Sequence, residues 1–114
     1  MNNRELIVWL QKLGAAAEAL AELCDREAKE YGLVWHSVAR SAVELADMPT
    51  KDAVRELVSD VAWLLGHRPN SFSEVYVVRA DLEQQQIENV KFDALKDAVG
   101  EWTGVLRRAL EAGR

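Results

Sequence analysis

Residues 66–89 read GHRPNSFSEVYVVRADLEQQQIEN, and this stretch decides how the chain folds. On both sides of it, apolar residues recur every three or four positions, the spacing of amphipathic helices. Within it lie a proline, an Asn-Ser pair, a short alternating apolar run and a glutamine triplet. The stretch therefore predicts an interruption in a helical protein. Helices that pack on one another bury their apolar faces, so we expect the most specific surface of the molecule at this interruption.

Within the interruption, residues 72–78 have the character of a strand. They are rich in β-branched and aromatic side chains, which favour an extended backbone. A strand needs a partner, and residues 87–92 are the candidate. A small hairpin and an ordered loop are both open interpretations, and residues 81–88 are equally open to a helical turn. Arg68 and Arg79 place cations around the run, either to pair with acidic helices or to anchor a carboxylate.

The first predicted helix covers residues 4–31. Asn2 and Glu5 have the spacing of a capping box at its start, and Gly32 is a typical helix stop at its end. The small side chains at residues 14–17 would let a neighbouring helix approach closely.

Three more helices follow. The second covers residues 34–47 and ends before Pro49, because the residue before a proline avoids the helical region. Thr50 caps the third helix, which Gly66 closes. The fourth begins at residue 89 or 90 and runs to about residue 112. The predicted fold is mainly α: a four-helix bundle in one domain, residues 1–114, with a short extended or β-hairpin insertion between the third and fourth helices.

The same spacing predicts which side chains form the core. One tryptophan falls in each helix, and we expect all four to be buried. The predicted buried stripes are Leu6, Trp9 or Leu10, Leu13, Ala17, Leu20, Cys24 and Tyr31; Trp35, Val38, Ala42 and Leu45; Val54, Leu57 or Val58, Val61 and Leu65; and Phe92, Leu95, Val99, Trp102, Leu106 and Leu110.

Size and charge limit the classes of function. The chain has 114 residues, of which 49% are hydrophobic, enough for a core. Its net charge of -5 disfavours direct nucleic-acid binding, and a basic protein is the electrostatic complement. The single cysteine suits a reducing, cytoplasmic setting. No stretch predicts a secretory leader or a membrane span, since the apolar run at residues 6–10 is short.

Two pairs of carboxylates carry the strongest enzymatic pattern. Glu27 and Glu30 read E-x-x-E, and Glu44 and Asp47 read E-x-x-D. This spacing resembles the MazG-like all-α nucleotide pyrophosphohydrolases, and the resemblance implies carboxylates on two antiparallel helices that hold Mg²⁺ against a triphosphate. Both pairs lie at predicted helix ends rather than in the middle of a bundle. We therefore interpret them as solvated charges and assign no metal site.

The remaining reactive residues do not form a known catalytic set. Glu56 and Asp60 echo the second motif of the same family, but they are four residues apart where the family has three. His36 and His67 have no metal-ligand spacing. Cys24 lies on the apolar stripe and is predicted to be core. We assign no catalytic, cofactor-binding or metal-binding residue.

A row of carboxylates on the last helix suggests a docking surface instead. Asp93, Asp97 and Glu101 are four residues apart, so they share one helix face. The interruption leads directly into that helix, and the two can form one surface for a basic protein partner. The predicted partner-binding residues are Phe72, Glu74, Tyr76, Asp93, Asp97 and Glu101.

A second resemblance involves the interruption itself. Residues 71–75 read SFSEV after a glycine-containing turn, and Glu88, Asn89 and Leu95 then lead into an amphipathic helix. This order resembles a family of small, functionally uncharacterised bacterial proteins in which a glycine turn precedes Ser-Phe-Asn-Asp. Ser73 and Glu74 replace the Asn and Asp of that motif. The resemblance implies a compact bacterial helical domain and no reaction.

These observations predict a non-catalytic protein-binding module. Small size, acidic charge and the lack of an assigned active site are typical of an inhibitor of a basic protein, such as the immunity protein of a bacterial toxin. A Mg²⁺-dependent nucleotide pyrophosphohydrolase is the alternative from another class. A phage-encoded inhibitor or an assembly adaptor fits the same features.

Overall fold

A computed structural model describes residues 3–66 and 72–112. They form four α-helices: α1 (Asn3–Glu27), α2 (Lys29–Asp47), α3 (Lys51–Leu65) and α4 (Leu82–Ala112). A short 3-10 turn, Phe72–Glu74, precedes an extended segment at residues 75–79. The prediction of a mainly α, four-helix protein is confirmed. The β-hairpin is wrong, because the described residues contain no strand and residues 87–92 are part of α4.

The boundary between the first two helices differs from the prediction. The chain reverses at a single residue, Ala28, whose φ of -152° and ψ of 70° leave the helical region. Gly32, the predicted stop, lies inside α2 and is buried. Its role is close approach, because a β-carbon there would overlap the Asp25 carboxylate of α1. Gly32 was predicted to end a helix, whereas it allows two helices to pack closely.

The small residues 14–17 predicted the close approach of a neighbouring helix, and at Gly14 that neighbour is α2. Gly14 faces the second helix, and a β-carbon on it would lie 3.1 Å from Val43 Cγ2 and 3.4 Å from the Ala39 carbonyl oxygen. Gly14 near Ala39 and Gly32 near Asp25 show that the two helices run antiparallel. The small side chains therefore set the distance between the helices, and Ala17 is fully buried between them.

The limits of α3 agree with the prediction. The Thr50 side chain accepts a hydrogen bond from Ala53 N at 3.3 Å, and Thr50 O accepts one from Val54 N at 3.0 Å. Gly66 ends the helix, and its N–H donates to Trp63 O at 3.2 Å. The predicted capping box at Asn2 lies outside the described residues.

The last helix begins earlier than predicted, at Leu82 instead of residue 89 or 90. Asp81 caps it: its Oδ1 accepts from Glu83 N at 2.9 Å and its backbone oxygen accepts from Gln85 N at 3.0 Å. The glutamine triplet is thus helical. With 31 residues, α4 spans roughly 46 Å, close to the 50 Å length of the molecule.

The core lies where α1 packs along both α2 and α4, with α3 packed mainly on α4. The side chains of the predicted stripes are all buried or half-buried, but the four tryptophans differ in exposure. Trp35 is 0% exposed, whereas Trp9 and Trp102 are half-buried and Trp63 is 63% exposed. The prediction that all four tryptophans are core is therefore wrong for Trp63, which follows buried Val61 by two residues and so faces away from the buried stripe of α3. Tyr31, assigned to the first helix, lies in α2.

Candidate protein-binding surface

The predicted acidic row is present on α4. Asp93, Asp97 and Glu101 are all exposed, on one face of a continuous helix. Lys96 lies between them in sequence but does not project with them. Its Nζ donates to Val75 O at 2.7 Å and sits 4.2 Å from the centre of the Phe92 ring. Desolvation by burial lowers the pKa of Lys96. The row therefore presents three carboxylates to solvent while the nearest lysine points inward.

Phe72 belongs to the core, which corrects its assignment to the partner surface. It is 2% exposed, and its ring centre lies 4.9 Å from that of Tyr31, 5.1 Å from that of Trp35 and 5.9 Å from that of Phe92. An apolar ring gains free energy by leaving water for the nearest apolar space, which here is lined by aromatic side chains. Phe72 thus anchors the segment to α2 and α4. The Glu74 side chain lies outside the described part of the structure.

Side chains of α4 replace the partner strand that the extended segment lacks. Val77 N donates to Asn89 Oδ1 at 2.7 Å, and Asn89 Nδ2 donates back to Val77 O at 2.8 Å. Arg79 N donates to Gln85 Oε1 at 2.9 Å. Lys96 satisfies Val75 O in the same way. Buried backbone polar groups must find hydrogen-bond partners, and here the helix supplies them. This is the physical reason that no hairpin forms.

The segment keeps the alternation expected of extended backbone. Val77 is 2% exposed and faces the core, whereas Tyr76 is 64% and Val78 66% exposed. The residues on either side of Tyr76 are bonded to Asn89 and Lys96 of α4, so its backbone runs along that helix. Tyr76 was predicted for the partner surface, and its side chain is exposed; its role in binding stays a prediction.

Arg79 ties the end of the segment to two helices. Its Nη1 donates to Glu27 Oε2 at 3.0 Å, and its Nη2 donates to Glu27 Oε1. Its Nε lies 2.7 Å from Glu88 Oε2. The Arg79 hydrogen bonds hold the pKa of Glu27 below its ordinary value. Of the two roles left open for this arginine, the structure shows ion pairing to α1 and α4. Arg68 lies outside the described residues.

A cleft joins the segment to the acidic row. It has a volume of about 530 Å³, and Ser73, Asp93 and Asp97 line it together with Lys96 and the end of α3. Glu101 follows one turn further along α4. The structure therefore brings Ser73, Asp93 and Asp97 into one cleft, and it places Phe72 in the core.

The carboxylates of the enzymatic pattern are dispersed. Glu27 ends α1 and Glu30 lies in the first turn of α2, so the break at Ala28 separates a pair that was expected to share one helix face. Glu44 lines a different cleft, of about 350 Å³ between α2 and α3, together with Glu56 and Asp60. Among the residues that the structure describes, no group of three or more His, Cys, Asp or Glu side chains is placed to hold a metal ion.

Two other titratable side chains, Cys24 and His36, have pKa values that their surroundings shift. Cys24 is fully buried, as predicted, and desolvation raises the pKa of its thiol to about 11. His36 of α2 bridges two carboxylates of α1: Nε2 lies 2.7 Å from Asp25 Oδ2 and Nδ1 lies 3.1 Å from Glu18. Its hydrogen bonds, to Asp25 first and then to Glu18, raise the pKa of His36. His67 lies outside the described residues.

The predictions missed the polar side chains of α4 that hold the segment. Gln85 and Asn89 are four residues apart and share one helix face, but this signal is visible only if residues 81–88 are taken as helical. Asp81 with Gln84 three positions later has the spacing of a capping box and would have indicated that helix.

No protein-family model, no curated protein and no solved structure matches this chain. The two resemblances drawn from short motifs therefore stay predictions. Within the described ranges, none of the helices has the length and apolar character needed to cross a bilayer.

Proposed function

We propose that this protein is a non-catalytic binding module that inhibits a basic protein, as the immunity protein of a bacterial toxin does. The observation that carries the proposal is the row of Asp93, Asp97 and Glu101, which is exposed on α4, the helix that also holds the segment with the exposed Tyr76. The net charge of -5 extends the same sign over the molecule. A basic partner would be attracted by this charge and oriented by the row.

The same surface has features of a good aromatic anchor site. Tyrosine is among the side chains that most often dominate binding energy, because a large ring buries area at a small cost in rotamer entropy. The backbone on both sides of Tyr76 is already fixed by Asn89 and Lys96. Little ordering is then required on binding, and this favours affinity. Inhibition follows if the module covers the basic surface that the partner uses for its own substrate.

A phage-encoded inhibitor and an assembly adaptor would use the same surface and differ in the partner. The identity of the bound protein separates these readings: a secreted toxin domain supports immunity, whereas a component of a particle supports assembly. Each is consistent with a cytoplasmic, bacterial protein that performs no reaction.

The test is a capture experiment followed by binding kinetics at two ionic strengths. The variants are D97K/E101K on the row, Y76A on the segment, and the control E5K/E22K, which makes the same charge change at exposed positions of α1. We expect D97K/E101K to slow association and flatten its salt dependence, and Y76A to speed dissociation. The control should retain most of the binding.

Two results would overturn the proposal. If the D97K/E101K and Y76A variants bind with wild-type kinetics, the interface lies elsewhere. If E5K/E22K weakens binding as much as D97K/E101K does, net charge rather than the row determines association.

A further inference from the structure

A second cleft lies between α3 and the C-terminal half of α4, beyond the acidic row. It has a volume of about 410 Å³, within the range of about 300–1,000 Å³ in which small-molecule sites fall. Val58 and Leu110 contribute to its lining and are 5% and 4% exposed, so they form an apolar floor. The cleft is thus able to take an apolar group of modest size.

The rim of this cleft is cationic, although the protein as a whole is acidic. Arg55 of α3 and Arg107 of α4 line it from the two sides, and Ser59 lines it as well. Within residues 3–66 and 72–112, Arg107 has no carboxylate at ion-pair distance. Arg55 is held by Asp52 at 3.4 Å, a carboxylate that is 99% exposed and therefore contributes little. Both guanidinium groups are available to an added anion.

We infer that this cleft is a binding site for a small organic anion, a carboxylate or phosphate monoester on a short apolar body. The guanidinium groups stay charged at any physiological pH, and their planar geometry suits both oxyanions. The apolar floor selects against a bare inorganic ion, because only an attached apolar body removes that surface from water. The inference does not depend on the acidic row or on any protein partner.

One carboxylate at the rim allows the direction of a change in anion affinity to be predicted. Glu111 lines the cleft together with Arg107 and follows it by one helical turn on α4. Its negative charge opposes a bound anion. Removing that charge while keeping the shape of the side chain, as E111Q does, should therefore tighten binding. A site selected for cations would respond in the opposite direction.

The experiment is a titration of the ¹⁵N-labelled protein followed by NMR. The probes are hexanoate, hexyl phosphate, hexylamine with the same apolar tail, and inorganic phosphate. We expect saturable shifts at the Ser59 and Leu110 amides with hexanoate and hexyl phosphate, much weaker ones with inorganic phosphate, and none with hexylamine. R107Q should weaken anion binding by about tenfold or more, and E111Q should strengthen it.

R108Q is the matched control. Arg108 is the exposed neighbour of Arg107 on α4 and does not line the cleft. It should leave the affinity for hexanoate unchanged, and R55Q provides a second variant on the opposite helix that should weaken it. The inference is overturned if neither organic anion gives saturable shifts. It is also overturned if R108Q weakens binding as much as R107Q does, or if hexylamine binds as well as hexanoate.

Discussion

Trp35 shows how one side chain joins the parts of the core. It is 0% exposed, its ring packs 5.1 Å from that of Phe72, and its indole Nε1 has no hydrogen-bond partner within the described residues. An unpaired buried donor costs free energy, about 1–3 kcal/mol. The ring is retained at this position because its apolar area fills the space between the helices and the segment.

The tryptophans should differ in their contribution to stability. Trp35→Ala leaves a large cavity and should lower the free energy of unfolding by about 3–5 kcal/mol. Trp102→Ala should cost less, because that side chain is half-buried. Trp63→Ala should change the free energy of unfolding by about 0.5 kcal/mol, as is usual for exposed positions. Chemical denaturation of the three variants measures this order. A loss for Trp63→Ala equal to that for Trp35→Ala would contradict the assigned burial.

His36 should make stability depend on pH. Both ring nitrogens face carboxylates, an arrangement that is satisfied when the ring carries two protons. Because the folded-state pKa of His36 lies above its unfolded value, its contribution is fully present below the unfolded pKa and is lost as pH rises through the folded-state pKa. His36→Gln should therefore lower the melting temperature more at about pH 5.5 than at about pH 8.5.

The control for this prediction is an NMR titration of the histidine ring in the wild type and in Asp25→Asn. The Asp25 carboxylate is the main cause of the raised pKa of His36. The pKa should fall when that charge is removed. An unchanged pKa in Asp25→Asn would show that the bridge does not persist in solution.

At the scale of elements, the extended segment depends on α4. Residues 75–79 have the composition of a strand, yet Asn89, Gln85 and Lys96 satisfy their backbone. This arrangement needs α4 to start at Leu82, one turn before Gln85. The early start of the helix is therefore the reason that the segment needs no partner strand. The segment and the helix form a single surface because of it.

Asn89→Ala should detach the middle of the segment. The change removes the two hydrogen bonds from the Asn89 side chain to Val77 N and Val77 O. Val77 is 2% exposed, so both of its backbone groups lose these partners in a buried position. We expect a loss of about 1–3 kcal/mol in the free energy of unfolding and faster hydrogen exchange at the Val77 amide. Gln86→Ala, at an exposed position of the same helix, should have neither effect. Equal exchange rates in the two variants would show that Asn89 does not hold the segment.

At the scale of the whole molecule, charge is distributed unevenly. The acidic row and the cationic cleft lie on successive parts of α4, and further carboxylates line the cleft between α2 and α3. Glu44, Glu56 and Asp60 share that last cleft, a geometry that favours the pyrophosphohydrolase alternative. Against it, Glu27 is occupied by Arg79 and the two E-x-x pairs do not converge.

The protein should therefore release no pyrophosphate from nucleoside triphosphates in the presence of Mg²⁺. A panel of triphosphates, assayed with the wild type and with Glu44→Gln, measures this directly. If the wild type is active and Glu44→Gln abolishes the activity, the binding-module proposal is replaced by the enzymatic alternative.

Periodic patterns predicted most of the helical fold. The apolar stripes, the Thr50 cap, the Gly66 end and the exposure of Asp93, Asp97 and Glu101 follow from spacing along a helix, which is local information. Periodicity also predicted buried Cys24. The expectation that Trp63 is buried failed because it rested on residue type, and a large apolar side chain does not indicate which way its residue faces.

Three features were decided by tertiary structure. The chain reverses at Ala28 rather than at Gly32, because antiparallel packing of α1 on α2 requires a residue without a β-carbon where Gly32 meets Asp25. Phe72 enters the core because tertiary packing provides an aromatic space for it. Residues 75–79 pair with no other strand in the described part of the chain because side chains of α4 bind their backbone. In each case the deciding contact joins two different elements, and the periodicity of a single element does not contain it.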